Sequence, residues 1–256
     1  MSSPFTLQWL ALLEAACADV PTRYLDLIID QAACDRPLIP AIQALHPPLP
    51  WRSLFSGLPE ASAEDLAPLL LRVDLQHPLQ RHWLHGLLNE LAGRPRVLAL
   101  VSTWPFDTLA DYLGRCLEAR NGGRLGLLRY YDPRLFPLLI GEVLTPEQQR
   151  QLLRPAVFWS WADHDGVPRR LLGHGAPEES ARDFSLIELS DEQVDTLLCA
   201  SDATCALARL PAEAKAGRCA EECFQLAYAA MREASAAGLL ADEQREKLVR
   251  QRLAQA

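Results

Sequence analysis

Up to about residue 175 the chain alternates short apolar runs of strand length with longer stretches whose apolar positions recur every three or four residues. The strand candidates are 24–29, 51–55, 70–73, 96–102 and 126–131. Arg96-Val-Leu-Ala-Leu-Val101 is apolar at nearly every position, the pattern of an interior strand covered on both faces. A hairpin is predicted from 156–162 to 167–172. Its turn, Asp163-His164-Asp165-Gly166, carries the Asp-Gly pair that supplies positive φ at low cost.

Helical patterns lie between these runs. Residues 79–91 place Leu84, Leu87, Leu88 and Leu91 on one stripe, closed by Gly93 and Pro95. Residues 106–117 do the same with Leu109, Leu113 and Cys116. Thr145-Pro146-Glu147-Gln148 supplies an N-cap, a proline at the first helical position and a glutamine able to close a capping box. Ser62-Ala-Glu-Asp65 reads as a similar start, cut to a short turn by Pro68.

After Gly173-His-Gly-Ala-Pro177 and the charged stretch 178–183 the strand patterns stop. Ser190-Asp-Glu-Gln193 caps a helix expected to run to about Cys199. Residues 216–237 read as one helix ended by Gly238, and 242–253 as another. The expectation is an α+β fold with α/β-like alternation. An N-terminal lobe over 1–175 holds a mixed sheet flanked by helices. A linker spans 176–189, and a smaller all-helical lobe follows over 190–256.

Ordinary proportions of hydrophobic (49%) and charged (23%) residues in 256 argue against wholesale disorder. A net charge of -8 argues against general binding to nucleic acid or anionic membranes. No run reaches the roughly 20 apolar residues that cross a bilayer. Residues 5–14 lack a basic leader and are interrupted by Glu14, so they read as an amphipathic helix rather than a signal peptide. The chain is read as cytoplasmic.

Seven cysteines form no disulfide-scaffold pattern and read as thiols. Of the four at 199, 205, 219 and 223, only the last two have a zinc-type spacing, and packing on a helix face is the favoured reading. His82 and His85, with His77 before them, have no evident third ligand. Asp163-His164-Asp165 lies where a turn wants Asp for backbone reasons. No G-x-S-x-G elbow occurs, and Asn121-Gly122-Gly123 lacks the helix that would aim amides at a phosphate, so it reads as a tight loop. No cofactor, metal or catalytic residue is assigned.

Two strand-to-helix corners remain: one around Arg52, Phe55 and Gly57, the other around Tyr131, Asp132 and Arg134. Asp132 is expected to end a strand and cap a helix opening at Pro133, with Arg134 and Arg52 as available cations or with no ion pair at all. Trp159 and Trp161 share the parity of one strand and so face the same way. Left uncovered, that face would be a protein-binding platform; covered, it is core.

The order of these segments resembles a known family, the adaptor chaperones of bacterial type VI secretion, often called Tap or Tec proteins. The resemblance is carried by Tyr24-Leu-Asp-Leu-Ile-Ile-Asp30, Arg52-Ser-Leu-Phe-Ser-Gly-Leu-Pro-Glu60, Leu66-Ala-Pro-Leu-Leu70, the strand ending at Ser102, Arg129-Tyr-Tyr-Asp-Pro-Arg134, Leu144-Thr-Pro-Glu-Gln148 and the Trp159 strand. It covers about residues 20–165. Gln31, where a small residue often stands, and Arg154, where glycine is expected, depart from the pattern. The resemblance implies a cytoplasmic, non-catalytic protein that binds a toxic effector and helps load it onto the VgrG spike; the net charge adds the expectation of no nucleic acid or membrane as partner. The competing classes are an immunity-type toxin-binding protein and a hydrolase with an unrecognised acid–base site.

Overall fold

The computed structural model describes residues 4–32, 34 and 38–255. Six strands form the main sheet: β1 (Tyr24–Asp30), β2 (Trp51–Ser53), β3 (Pro68–Asp74), β4 (Val97–Val101), β7 (Phe158–Ala162) and β8 (Pro168–Leu172). Their order is β2-β3-β1-β4-β7-β8, and every neighbouring pair is antiparallel. A small second sheet has the order β6-β5-β9, from β5 (Glu118–Asn121), β6 (Arg124–Leu127) and β9 (Ile187–Glu188). Its β5–β9 contact is parallel. The fold is α+β, with the helical content partly segregated to the C-terminal end.

Alternation along the strands sorts side chains onto two faces. Leu25, Leu27 and Ile29 of β1 join Leu69, Leu71, Val73, Val97, Ala99 and Val101 in one core, covered by α1 (Pro4–Ala18), α2 (Leu38–Gln43) and α3 (Pro78–Glu90). Ile28, Leu70, Leu98 and Leu100 face the other core, roofed by α4 (Phe106–Arg115), the single turn α5 (Phe136–Leu138) and α6 (Pro146–Leu153). The predicted stripes of α3 and α4 are the buried ones. The capping box at Thr145 forms, with both reciprocal hydrogen bonds.

Asp26 lies on this second face, directly opposite Arg72 on β3. The guanidinium donates to both carboxylate oxygens, at 2.7 and 2.8 Å. Tyr24 and Phe106 offer ring faces to the same guanidinium, at 5.5 and 5.6 Å. Burial pushes the Asp26 carboxyl above its ordinary range, and the hydrogen bonds from Arg72 act against that rise.

Several elements depart from the sequence reading. The strand predicted over 51–55 stops at Ser53, because Leu54 and Phe55 turn into the core. No capping box forms at Ser62: Pro59–Ser62 and Glu64–Leu66 are single 3-10 turns without side-chain caps, and Pro68 opens β3. The strand predicted over 126–131 is β6, which lies earlier and pairs with β5 in a hairpin. Beyond it the chain dives inward, burying Tyr130 and Tyr131.

α7 (Asp191–Arg209) begins at the predicted Ser190 capping box but continues ten residues past Cys199. Polar Ser201, Asp202 and Thr204 obscured a stripe of Ala200, Ala203 and Ala206, all buried. α8 (Ala220–Ala236) starts later than expected, with the Cys219 thiol accepting from the Glu222 amide. With α9 (Asp242–Gln255) these helices enclose a third core containing Phe224, Met231 and Val249.

Truncating Asp26 to alanine strands a buried guanidinium and is expected to cost about 3–5 kcal/mol, whereas the double change Asp26→Leu/Arg72→Met should be near neutral or stabilising. Urea unfolding of the two variants checks this; equal losses would show that the pair contributes more than mutual compensation.

Candidate functional site

The corner at 129–134 is a charge cluster set into the end of the main sheet. Asp132 is almost fully buried. Its Oδ1 accepts from the Arg134 amide at 3.0 Å and from Arg134 Nε at 2.9 Å, and its Oδ2 accepts from Arg134 Nη2 at 2.7 Å. The hydrogen bond to Asp132 is the main reason that the Arg134 pKa stands above its ordinary value. Beside it, Asp30 Oδ2 accepts from Arg96 at 3.0 Å and Arg129 at 3.2 Å. Arg129 also lies 3.9 Å from Asp132 and 5.6 Å from the centre of the Tyr131 ring.

The corner therefore differs from its sequence reading in two ways. Asp132 does not cap a helix: it closes a turn onto the amide two residues on, while α5 starts at Phe136 without a side-chain cap. Arg52 does not serve it, pairing instead with Asp111 at 2.9 Å and Asp107 at 3.7 Å on the exposed side of α4. Gly57, at φ 85°, closes the turn that tucks Phe55 inward.

The aromatic platform is not exposed. Trp159 and Trp161 do share a face, but Phe136 lies on it at ring distances of 5.1 and 5.4 Å, and both indoles are buried. Phe55 and Tyr131 are core residues as well.

Asp163-His164-Asp165 forms a clasp between the β7–β8 hairpin and the C-terminal helices. Asp165 accepts from the first two amides of α8, at 2.7 Å from Ala220 and 3.1 Å from Glu221. His164 Nδ1 lies 2.6 Å from Glu221 Oε2, and its ring stacks on Phe224 with centroids 4.2 Å apart. The hydrogen bond from His164 is the largest influence holding the Glu221 carboxyl down, at about 2. Sequence reasoning missed the clasp because the α8 start was misplaced and the turn aspartates already had a local explanation.

Among the described residues no three His, Cys, Asp or Glu side chains converge as a metal site. Cys17 and Cys116 are buried thiols pushed up to about 12 by burial. No described helix is long and apolar enough to cross a membrane.

A leucine-rich groove of about 450 Å³ lies elsewhere, between the β5–β6 hairpin and α7. Gly122 and Gly123, at φ 54° and 81°, form the two-residue loop of that hairpin, the geometry of a type I′ turn. Leu125 and Leu127 of β6 and Leu197 and Leu198 of α7 line it, together with Leu135 and Leu139. Leu125 is 58% exposed and Leu198 56%. The alternation Arg124-Leu-Gly-Leu127 after a Gly-Gly turn was the available sequence signal for this strand.

Residues 27–151 match the family model described as a domain of unknown function, DUF4123. The match runs from inside β1 into α6 and includes both corners and the β5–β6 hairpin. The β7–β8 hairpin and the three C-terminal helices lie beyond it. No curated protein and no solved structure matches the chain.

Asp132→Ala removes an acceptor of charged hydrogen bonds and should cost about 1.5–3 kcal/mol. Arg52→Ala, in an exposed pair, should cost only about 0–1 kcal/mol. Urea titrations of both variants test the ranking, which an equal or reversed loss would contradict. The clasp has a pH signature. Because the Glu221 carboxyl is depressed in the folded chain, its contribution is complete above its ordinary value of 4.5 and disappears as pH falls toward about 2. The melting temperatures of wild type and Glu221→Gln should differ at neutral pH and converge through that window.

Proposed function

We propose that the chain is a non-catalytic adaptor chaperone that binds a toxic type VI secretion effector in the cytoplasm and helps to load it onto the VgrG spike. The observation that carries this reading is the DUF4123 match, which coincides with the ordered segments that resemble those adaptors. Arg52–Glu60, Leu66–Leu70, Arg129–Arg134 and Leu144–Gln148 all fall within 27–151.

The geometry adds support of a different type. The ionisable groups of the corner serve one another: Asp30 and Asp132 accept from Arg96, Arg129 and Arg134. Such a cluster stiffens the end of the sheet. The surface left to solvent beside it is a leucine-walled groove, the chemistry of protein association. A rigid charged corner next to an open apolar face suits a protein whose task is to hold another protein.

Co-expression with its cognate toxin should give a discrete complex by size-exclusion chromatography. Deleting the chain should lower both the soluble yield and the secretion of that toxin. Unchanged yield and secretion in the deletion strain would overturn the adaptor reading.

A further inference from the structure

We propose that the groove between the β5–β6 hairpin and α7 receives one extended segment of a partner protein. That segment adds as a strand to the free edge of β6, sets apolar side chains into the groove and turns carboxylates toward its arginine rim. The proposal deepens the adaptor reading and rests on it only for which protein carries the segment.

The backbone makes the first argument. The two-residue loop makes Asn121↔Arg124 the hydrogen-bonded closing pair, and antiparallel pairs alternate from there. Arg120↔Leu125 and Glu118↔Leu127 are then non-hydrogen-bonded pairs. The alternation is corroborated one step further on, where the Leu128 amide donates to the Leu117 carbonyl at 2.7 Å. The N–H and C=O groups of Leu125 and Leu127 therefore point away from β5. β6 is the outer strand of its sheet, and all four of its residues are exposed. Such a row of backbone donors and acceptors is a template for strand addition.

The side chains make the second. Leu125 and Leu127 share one face of β6 and meet Leu197 and Leu198 across the groove. Natural edge strands are commonly blunted by charge, proline or a covering element. Here the only charge on the strand is Arg124, at the turn, and the two leucines beyond it are open.

Charge selects the occupant. The chain has 33 acidic and 25 basic residues, yet the groove is lined by Arg120, Arg124 and Arg129 and by no carboxylate. Arg120 is held by Glu188 and Arg129 by Asp30, whereas Arg124 has no ion pair among the described residues. An acidic, apolar-alternating segment fits this rim. A second copy of a chain with net charge -8 is disfavoured by its own repulsion.

The test pans the full-length protein against a phage library of random dodecapeptides. Enriched sequences should alternate apolar residues with Asp or Glu. A synthetic peptide of the enriched sequence should slow hydrogen exchange at the Leu125 and Leu127 amides. Its affinity should fall at least about tenfold in Leu198→Asp and in Arg124→Glu, two exposed changes expected to leave the melting temperature unaltered. Leu125→Pro, which removes an outward-pointing N–H, should weaken binding as well. Absence of an enriched motif, enrichment of basic peptides, or equal binding by these variants would overturn the proposal. So would a wild-type dimer that Leu198→Asp dissolves, which would assign the groove to a second copy. The two readings separate cleanly. A toxin complex that survives Leu198→Asp and Arg124→Glu sinks the groove and spares the adaptor role. Peptides that bind the groove while no toxin complex forms do the reverse.

Discussion

A carboxylate removed from water on the middle strand of a sheet must find a cation or give up its charge. β1 carries two such groups, Asp26 and Asp30, on a strand whose last six residues are all buried. Arg72 comes from the neighbouring strand at the same register position, Arg96 from the entry to β4, and Arg129 from the far side of the β5–β6 hairpin. A slip of one residue between β1 and β3 would drive both carboxylates into the leucine core under α1 and α3. The pairing therefore enforces a register that apolar packing alone would specify less sharply, and it ties the 129–134 corner to the centre of the sheet.

From that anchored corner the rest of the molecule is hung. Asp30 holds Arg129, Asp132 holds Arg134, and the next turn carries Phe136 over Trp159 and Trp161. Leu138, a few residues on, belongs to the core of the C-terminal helices. Those helices are held further by the hairpin clasp at the start of α8, by Gln193, which reaches the Val143 carbonyl and Gln148, by Asn121, which donates to Asp191, and by the Arg232–Glu142 pair. Residues 176–189, read from the sequence as a linker, are packed: Ile187 is buried in β9, Arg154 donates to the Ser180 carbonyl, and Gln151 binds Ser185 through both ends of its amide. The two residues that depart from the adaptor pattern have local partners, Gln31 on the Glu64 carbonyl and Arg154 on the Ser180 carbonyl.

What the sequence by itself determined was the set of elements with a local physical cause. The central strands, the α3 and α4 stripes, the 163–166 turn and the capping boxes at Thr145 and Ser190 follow from side-chain period and from cap chemistry within a few residues. Elements whose evidence is spread thin were misjudged in extent: α7 by its alanine stripe, α8 by its late start, β6 by the apolar tyrosines that follow it.

Tertiary structure alone decided which cation each carboxylate meets, whether the tryptophans are core or surface, and where an apolar face stays open. Arg52 and Arg134 were equivalent candidates for Asp132 until the chain path gave one to α4 and the other to the corner. Trp159 and Trp161 became core because one turn from residue 136 covers them. The groove exists because α7 docks some seventy residues downstream of a hairpin edge that no other strand reaches. Apart from Arg134, which stands two residues from its carboxylate, these outcomes depend on groups far apart in the chain, and a local pattern carries no information about which distant partner arrives.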